Sequence, residues 1–255
     1  MVIEQETFID RMIASPTSLP NMELDSILAS FSKIGYRNFE VFTSWCASHF
    51  DLDQDPDYYM EKGRRYGMSF PVLHLPLVKS DQPETYADAL RGVRMAETIG
   101  AKVVVFKADS IATYIRTASP VLDAVEKAGI TPAVQNHDNS PIMTLTDVQA
   151  VHEGIADSRM KALLEVGHFH AVDVGWPQAC EYLGNRIVHV HLKDQIGKQG
   201  VPFGKGEIDI PALLRHLESS GYTGHYLIEM EVVDNENTLR YFNEALQYME
   251  KNWPV

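Results

Sequence analysis

Apolar and β-branched residues fall into short runs about thirty residues apart, and between the runs the apolar positions recur at spacings of three and four. The first pattern belongs to strands buried on both faces and the second to amphipathic helices, so the alternation predicts stacked βα units. Eight runs can be placed, at residues 12–15, 38–42, 71–74, 102–107, 132–135, 162–165, 187–191 and 226–229. Between the first two, Leu24, Ile27, Leu28, Phe31 and Ile34 mark one face of a helix that Gly35 is placed to end. Residues 86–99 before Gly100 repeat that arrangement, and Leu239, Phe242, Leu246 and Met249 mark the last helix. No linker interrupts the series. Eight such units predict an α/β fold, a single (β/α)8 TIM barrel domain over residues 1–255. An open doubly wound sheet is the rival, and no Gly-x-Gly-x-x-Gly fingerprint after an early run supports it.

Composition narrows the function. Twenty-two basic against 35 acidic residues leave a formal charge of −13, which repels nucleic acid and anionic membrane surfaces. Two cysteines, Cys46 and Cys180, cannot build a disulfide framework, and the opening residues lack a signal-peptide pattern. No apolar run is long enough to span a bilayer. A cytoplasmic location is the resulting expectation.

Barrel enzymes place their chemistry at the C-terminal ends of the strands, and here nearly every run ends in a polar group. Glu40, His74, Lys107, Gln135 with Asn136 and His137, Glu165 with His168, His191 with Lys193 and Asp194, and Glu229 with Glu231 occupy those positions. A buried charge without a partner costs several kcal/mol in rough terms, so convergence on one site accounts for them together. Glu165, His191 and Glu229 lie on three neighbouring strands and supply two carboxylates and an imidazole. Oxygen-rich ligation with one nitrogen suits Mn, Mg or Co, with Zn also compatible. The competing explanation is a carboxylate–histidine hydrogen-bond network.

The segments Ile187-Val188-His189-Val190-His191-Leu192-Lys193-Asp194, Gly204-Lys205-Gly206-Glu207-Ile208-Asp209 and Gly221-Tyr222-Thr223-Gly224 leading to Ile228-Glu229 are similar to those of the xylose isomerase-like TIM barrel superfamily. That family includes sugar phosphate isomerases and epimerases and inosose dehydratase-like proteins. Asn136-His137 and Val166-Gly167-His168 fall in the family's order, whereas the first four strands agree in pattern alone. The resemblance implies one divalent metal held by residues at Gln135, Glu165, His191 and Glu229, and a small carbohydrate substrate. The family has Glu where this chain has Gln135 and Asp where it has Glu165. An amide does not take up a proton near neutral pH, so Gln135 can ligate through its carbonyl oxygen but cannot serve as the second base of a two-base epimerase.

The implied activity is that of a metal-dependent sugar isomerase or epimerase acting next to a carbonyl through an enediolate. A one-base dehydratase or lyase of keto-sugars is the alternative that Gln135 favours, and a catalytically degenerate sugar-binding barrel is a further one. A DNA-repair endonuclease is disfavoured by the net charge. Glu229, Lys107 and His168 are the candidate catalytic groups; for Lys107 the competing role is a lysine reaching the rim or pairing with Asp109. Glu40, His74, His137, Lys193 and Phe203 are the candidate substrate-binding residues, with Trp45 and Phe106 as further aromatic candidates. Asp194 is expected to be structural. Gly204-Lys205-Gly206 offers a weak phosphate-cradle signal. A two-fold homodimer is the default assembly.

Overall fold

A computed structural model of the chain describes residues 8–254. Its strands, in chain order, are β1 (Met12–Ala14), β2 (Asn38–Phe42), β3 (Ser69–His74), β4 (Val103–Val105), β5 (Thr131–Gln135), β6 (Lys161–Glu165), β7 (Ile187–Leu192), β8 (Asp194–Ile196), β9 (Gln199–Val201) and β10 (His225–Ile228). All but β8 and β9 close into one parallel barrel in which β1 pairs with both β2 and β10. The remaining two form an antiparallel hairpin directly after β7. Every predicted run is a barrel strand. The run at 102–107 is shorter than expected because the ladder stops at Val105, leaving Phe106 and Lys107 beyond it.

The helices are α1 (Leu24–Ile34), α2 (Pro56–Tyr66), α3 (Glu84–Ile99), α4 (Ile111–Ala128), α5 (Leu145–Ile155), α6 (Val166–His170), α7 (Trp176–Leu183), α8 (Ile210–Ser219) and α9 (Thr238–Asn252). On α1 the apolar stripe Leu24, Ile27, Leu28 and Phe31 is buried, and Gly35 ends the helix at φ +118°, a conformation that costs a side-chain-bearing residue strain. The ring of Phe31 meets Phe242 of α9 at 4.7 Å, and the Tyr36 hydroxyl donates to the Phe242 carbonyl at 3.0 Å, joining the first helix to the last. No helix among the described residues is long and apolar enough to cross a membrane.

Side chains alternate along each strand between the helical layer and the barrel interior. Ile13, Val72, Val103, Val105, Ala133, Leu163 and Leu227 form a separate apolar cluster. They fill the lower and middle barrel. Two residues further along their strands, the same parity delivers His74, Lys107, Gln135, Glu165 and Glu229 to the C-terminal mouth.

Asp194 anchors the loop that follows β9. Its carboxylate accepts the backbone N–H groups of Gly204 at 2.8 Å, Gly206 at 2.9 Å, Gln195 at 3.0 Å and Ile208 at 3.3 Å. The amides of the Gly204-Lys205-Gly206 segment are thus occupied within the protein, those of the two glycines by the buried Asp194 side chain and that of Lys205 by the Pro202 carbonyl, rather than offered to a phosphate. A Cβ on Gly206 would lie 2.1 Å from Asp194 Oδ1, so the loop tolerates no side chain there. Asp194→Ala leaves four amides without their acceptor and is expected to cost on the order of 3 kcal/mol in urea denaturation. Gly206→Ala should likewise shift the denaturation midpoint downward, whereas Lys205→Ala should leave it unchanged.

Candidate active site

Glu40 stands in the middle of β2 with no solvent exposure, and three imidazoles gather on one of its oxygens. His74 Nε2 lies 2.9 Å from Glu40 Oε1, His191 Nε2 3.0 Å and His189 Nε2 3.3 Å. The other ring nitrogen of His191, Nδ1, meets Glu165 Oε2 at 2.9 Å. His191 is therefore held between two buried carboxylates on opposite edges of its ring. Burial alone would lower the His191 pKa, but the charge of Glu40 and the hydrogen bond to Glu165 raise it to about 10. Burial likewise works to raise the Glu40 carboxyl, and the charge of His191 with the bonds from His189 and His191 holds it well below the usual range.

Glu165 is oriented from the backbone. Its N–H donates to Asn136 Oδ1 at 3.0 Å, and Asn136 Nδ2 returns a bond to the Glu165 carbonyl at 2.9 Å. One carboxylate oxygen also accepts the Gly167 N–H at 3.3 Å, at the start of α6. Gly167 has a further reason to be glycine, because a Cβ there would come within 2.9 Å of the Lys193 side chain. That lysine is buried, and its ammonium lies 3.0 Å from Glu229 Oε2 and 2.7 Å from Glu231 Oε2. Its pKa is raised, the charges of Glu229 and Glu165 outweighing burial. Burial and the charge of Glu229 raise the Glu231 carboxyl. Glu229 also accepts a short hydrogen bond from the Thr17 hydroxyl in the loop after β1.

Above this floor is a cavity of about 140 Å³, lined by Thr17, Phe42, Trp45, His74, Lys107, Gln135, His137, His168, His191, Glu229 and Glu231. Larger hollows of about 800 and 600 Å³ lie at the opposite end of the barrel, around Lys102 and His225. They hold no comparable convergence of carboxylates and imidazoles, and the C-terminal face is where βα loops build sites in this architecture. On one wall Phe42 stacks on His74 at 4.1 Å, Trp45 meets Phe42 edge-on at 5.5 Å, and Trp45 itself is 58% exposed with φ +65°. On another wall His168 Nδ1 pairs with Asp138 Oδ1 at 2.9 Å, and His137 lies 3.3 Å from the same oxygen.

Gln135, His74, His137, His168, His191, Lys107 and Glu229 thus share one cavity. Glu40, Glu165 and Lys193 lie buried beneath or beside it. Phe203 does not reach it and packs under Tyr248 at 6.0 Å, while Phe106 is turned into the outer layer. Lys107 does not pair with Asp109, whose carboxylate accepts from the backbone and hydroxyl of Ser80. Sequence reasoning passed over Thr17, Asp138 and His189. The spacing of His189 from His191 puts both on one face of β7, a signal that was available; Thr17 and Asp138 sit in loops and gave none.

Glu165, His191 and Glu229 each offer a donor atom within 4.8 Å of the others, the spacing a single divalent cation needs. Glu229 Oε2 is buried with no hydrogen-bond partner despite the nearby lysine, an oxygen available to such an ion. With Nε2 of His191 turned to Glu40, Nδ1 is the nitrogen that faces the other donors, the arrangement by which a carboxylate orients a ligating imidazole.

Residues 28–252 match the family described as xylose isomerase-like TIM barrel. The chain belongs to that family. This xylose isomerase-like barrel is 28% identical over 120 residues to L-ribulose-5-phosphate 3-epimerase UlaE of Salmonella paratyphi A, covering 46% of the chain and 42% of the relative. It is also 28% identical over 144 residues to the rhizopine catabolism protein MocC of Rhizobium meliloti, covering 48% and 43%. The aligned parts span about half the length of these relatives. Among solved structures, the barrel superposes on the IolI protein with a bound zinc atom at a TM-score of 0.77 and 17% identity, covering 96% of this chain and 100% of that one. It superposes on a D-tagatose 3-epimerase-like protein at 0.74 and 20%, covering 94% and 98%.

Burial and the charge of Lys107 depress the His74 pKa from 6.5 to about 3, so the imidazole is neutral when folded. Below pH 6.5 the unfolded chain takes up a proton that the folded one refuses, so this residue withdraws stability as pH falls from 6.5 toward 3. In metal-free protein, the urea midpoint is expected to drop between pH 7 and pH 5, and to drop less in His74→Gln.

Proposed function

We propose that this barrel is a sugar isomerase or epimerase that moves a proton at the carbon next to a carbonyl of a small carbohydrate. The observation that carries this reading is the convergence of Glu165, His191 and Glu229 on one point beneath a cavity of monosaccharide scale. The family relationship and the epimerase names among its relatives support it. Glu165, His191 and Glu229 would hold a divalent cation, with the Gln135 carbonyl oxygen as a neutral fourth donor. Such an ion supplies positive charge beside the substrate's carbonyl and hydroxyl oxygens.

The chain's own residues supply the rest. Glu229, fixed by Thr17 and Lys193, accepts the proton as the carbon–hydrogen bond breaks and its electron pair enters the enediolate. His137 and His168 present imidazoles to substrate hydroxyls, their rings held by Asp138. Glu40 fixes the ring of His191 without reaching the cavity. Gln135 favours a second reading, loss of a β-hydroxyl after one-base abstraction, because an amide offers no second proton-transfer group.

Incubating the manganese-loaded protein in D2O with D-tagatose, D-allulose or L-ribulose 5-phosphate tests the proposal by proton NMR. Deuterium should enter next to the carbonyl, at a rate at least about 100-fold lower in Glu229→Gln. Elimination would appear instead as a dehydrated product, and no exchange with any ketose would overturn the reading. Titration calorimetry with manganese alone should show Glu40→Gln binding about 10- to 100-fold more weakly, since His191 loses the group that orients it.

A further inference from the structure

Lys107 follows the end of β4, where the inward parity of Val103 and Val105 carries its side chain into the barrel mouth. The backbone there is pinned, its carbonyl accepting the Val78 N–H at 3.0 Å. The ammonium lies 4.9 Å from the centre of the Phe42 ring and lines the same cavity as Glu229. Among the described residues no carboxylate comes within ion-pair distance of it. Three groups face it: Glu40 on β2, one oxygen of which is shared by three imidazoles and the other of which has no hydrogen-bond partner but lies beyond ion-pair distance of the ammonium; His74 on β3, which is uncharged; and Cys46, whose thiol burial pushes up. Lys193 is the contrasting case, with its charge committed to Glu229 and Glu231.

From this placement we infer that Lys107 is the second proton-transfer residue of the site, serving the substrate face that Glu229 does not, in the role that Gln135 cannot fill. The inference rests on the carbonyl chemistry proposed above. Glu229 takes the proton from one face of the carbon, the electron pair passes into the enediolate, and the Lys107 ammonium donates a proton to the other face and becomes an amine. In the reverse direction the amine abstracts and protonated Glu229 donates. Exchange of both groups with water resets them, so no oxidant or further reactant is consumed. Desolvation lowers the Lys107 pKa to about 8, which places its two protonation states close enough for either direction near neutral pH.

The test uses the manganese-loaded full chain and two ketose pairs epimeric next to the carbonyl, D-fructose with D-allulose and D-sorbose with D-tagatose, in D2O. Lys107→Met keeps the apolar stem without the buried charge, and its urea midpoint is expected to equal or exceed that of the parent protein. For whichever pair the parent interconverts, Lys107→Met should still wash deuterium into one epimer. It should interconvert the two at least about 100-fold more slowly. Lys107→Arg, which keeps the charge but cannot release a proton, should behave like Lys107→Met. Alkylating Lys107→Cys with 2-bromoethylamine, which restores an amine at nearly the same reach, should restore interconversion.

An equal loss of exchange and interconversion, or a rise in KM alone rescued by arginine, would make the residue a substrate anchor and overturn the inference. Unchanged interconversion in Lys107→Met would overturn it as well. Absence of exchange by the parent protein would overturn the carbonyl reading, and the role of Lys107 with it.

Discussion

A carboxylate sealed from water needs partners supplied by the protein, and Glu40 finds three imidazoles carried on two strands. The consequence reaches the whole mouth of the barrel. His191 is fixed on one edge by Glu40 and on the other by Glu165, which is itself tied to Asn136 and to the first turn of α6. Removing one partner from such a chain would leave a buried charge uncompensated, so its members hold one another in a single arrangement. The cavity above inherits that rigidity.

The barrel is built so that this polar layer is affordable. Beneath it the interior is apolar, and outside it the strands pack against helices through a continuous hydrophobic shell. Most of the buried polar groups lie toward the C-terminal ends of the strands, and Glu40 and His189, deeper in β2 and β7, satisfy one another. Lys193 shows the same economy, since its stem passes over Gly167 and its one ammonium pairs with both Glu229 and Glu231. The loop after β9 is closed by Asp194 from beneath, which keeps its glycine amides for the fold.

The two walls of the cavity differ in character. One is aromatic, running from Trp45 through Phe42 to His74, and suits the apolar face of a sugar ring. The other presents His137 and His168 and suits hydroxyl groups. Between them lie the Glu229 carboxylate, the Gln135 amide and the Lys107 side chain, three different functional groups lining one cavity.

The alternation of apolar runs and helical stripes was enough to specify eight strands, their order and a closed barrel, because each strand's burial depends on its own residues and on a repeat that the chain displays directly. The polar strand ends were legible for the same reason, and so was the grouping of Glu165, His191 and Glu229 on neighbouring strands. Which of those residues face the cavity and which lie under it was decided only by tertiary packing. Glu40 and Phe203 looked like substrate contacts, yet one is buried among histidines because it lies two residues before the end of β2, and the other packs against Tyr248 because its loop carries it there. Thr17 and Asp138 come from loops whose course no periodicity encodes. The partners of Lys193, which is doubly paired, and of Lys107, which has no carboxylate within ion-pair distance among the described residues, likewise depend on contacts between residues distant in the chain, which a linear sequence does not display.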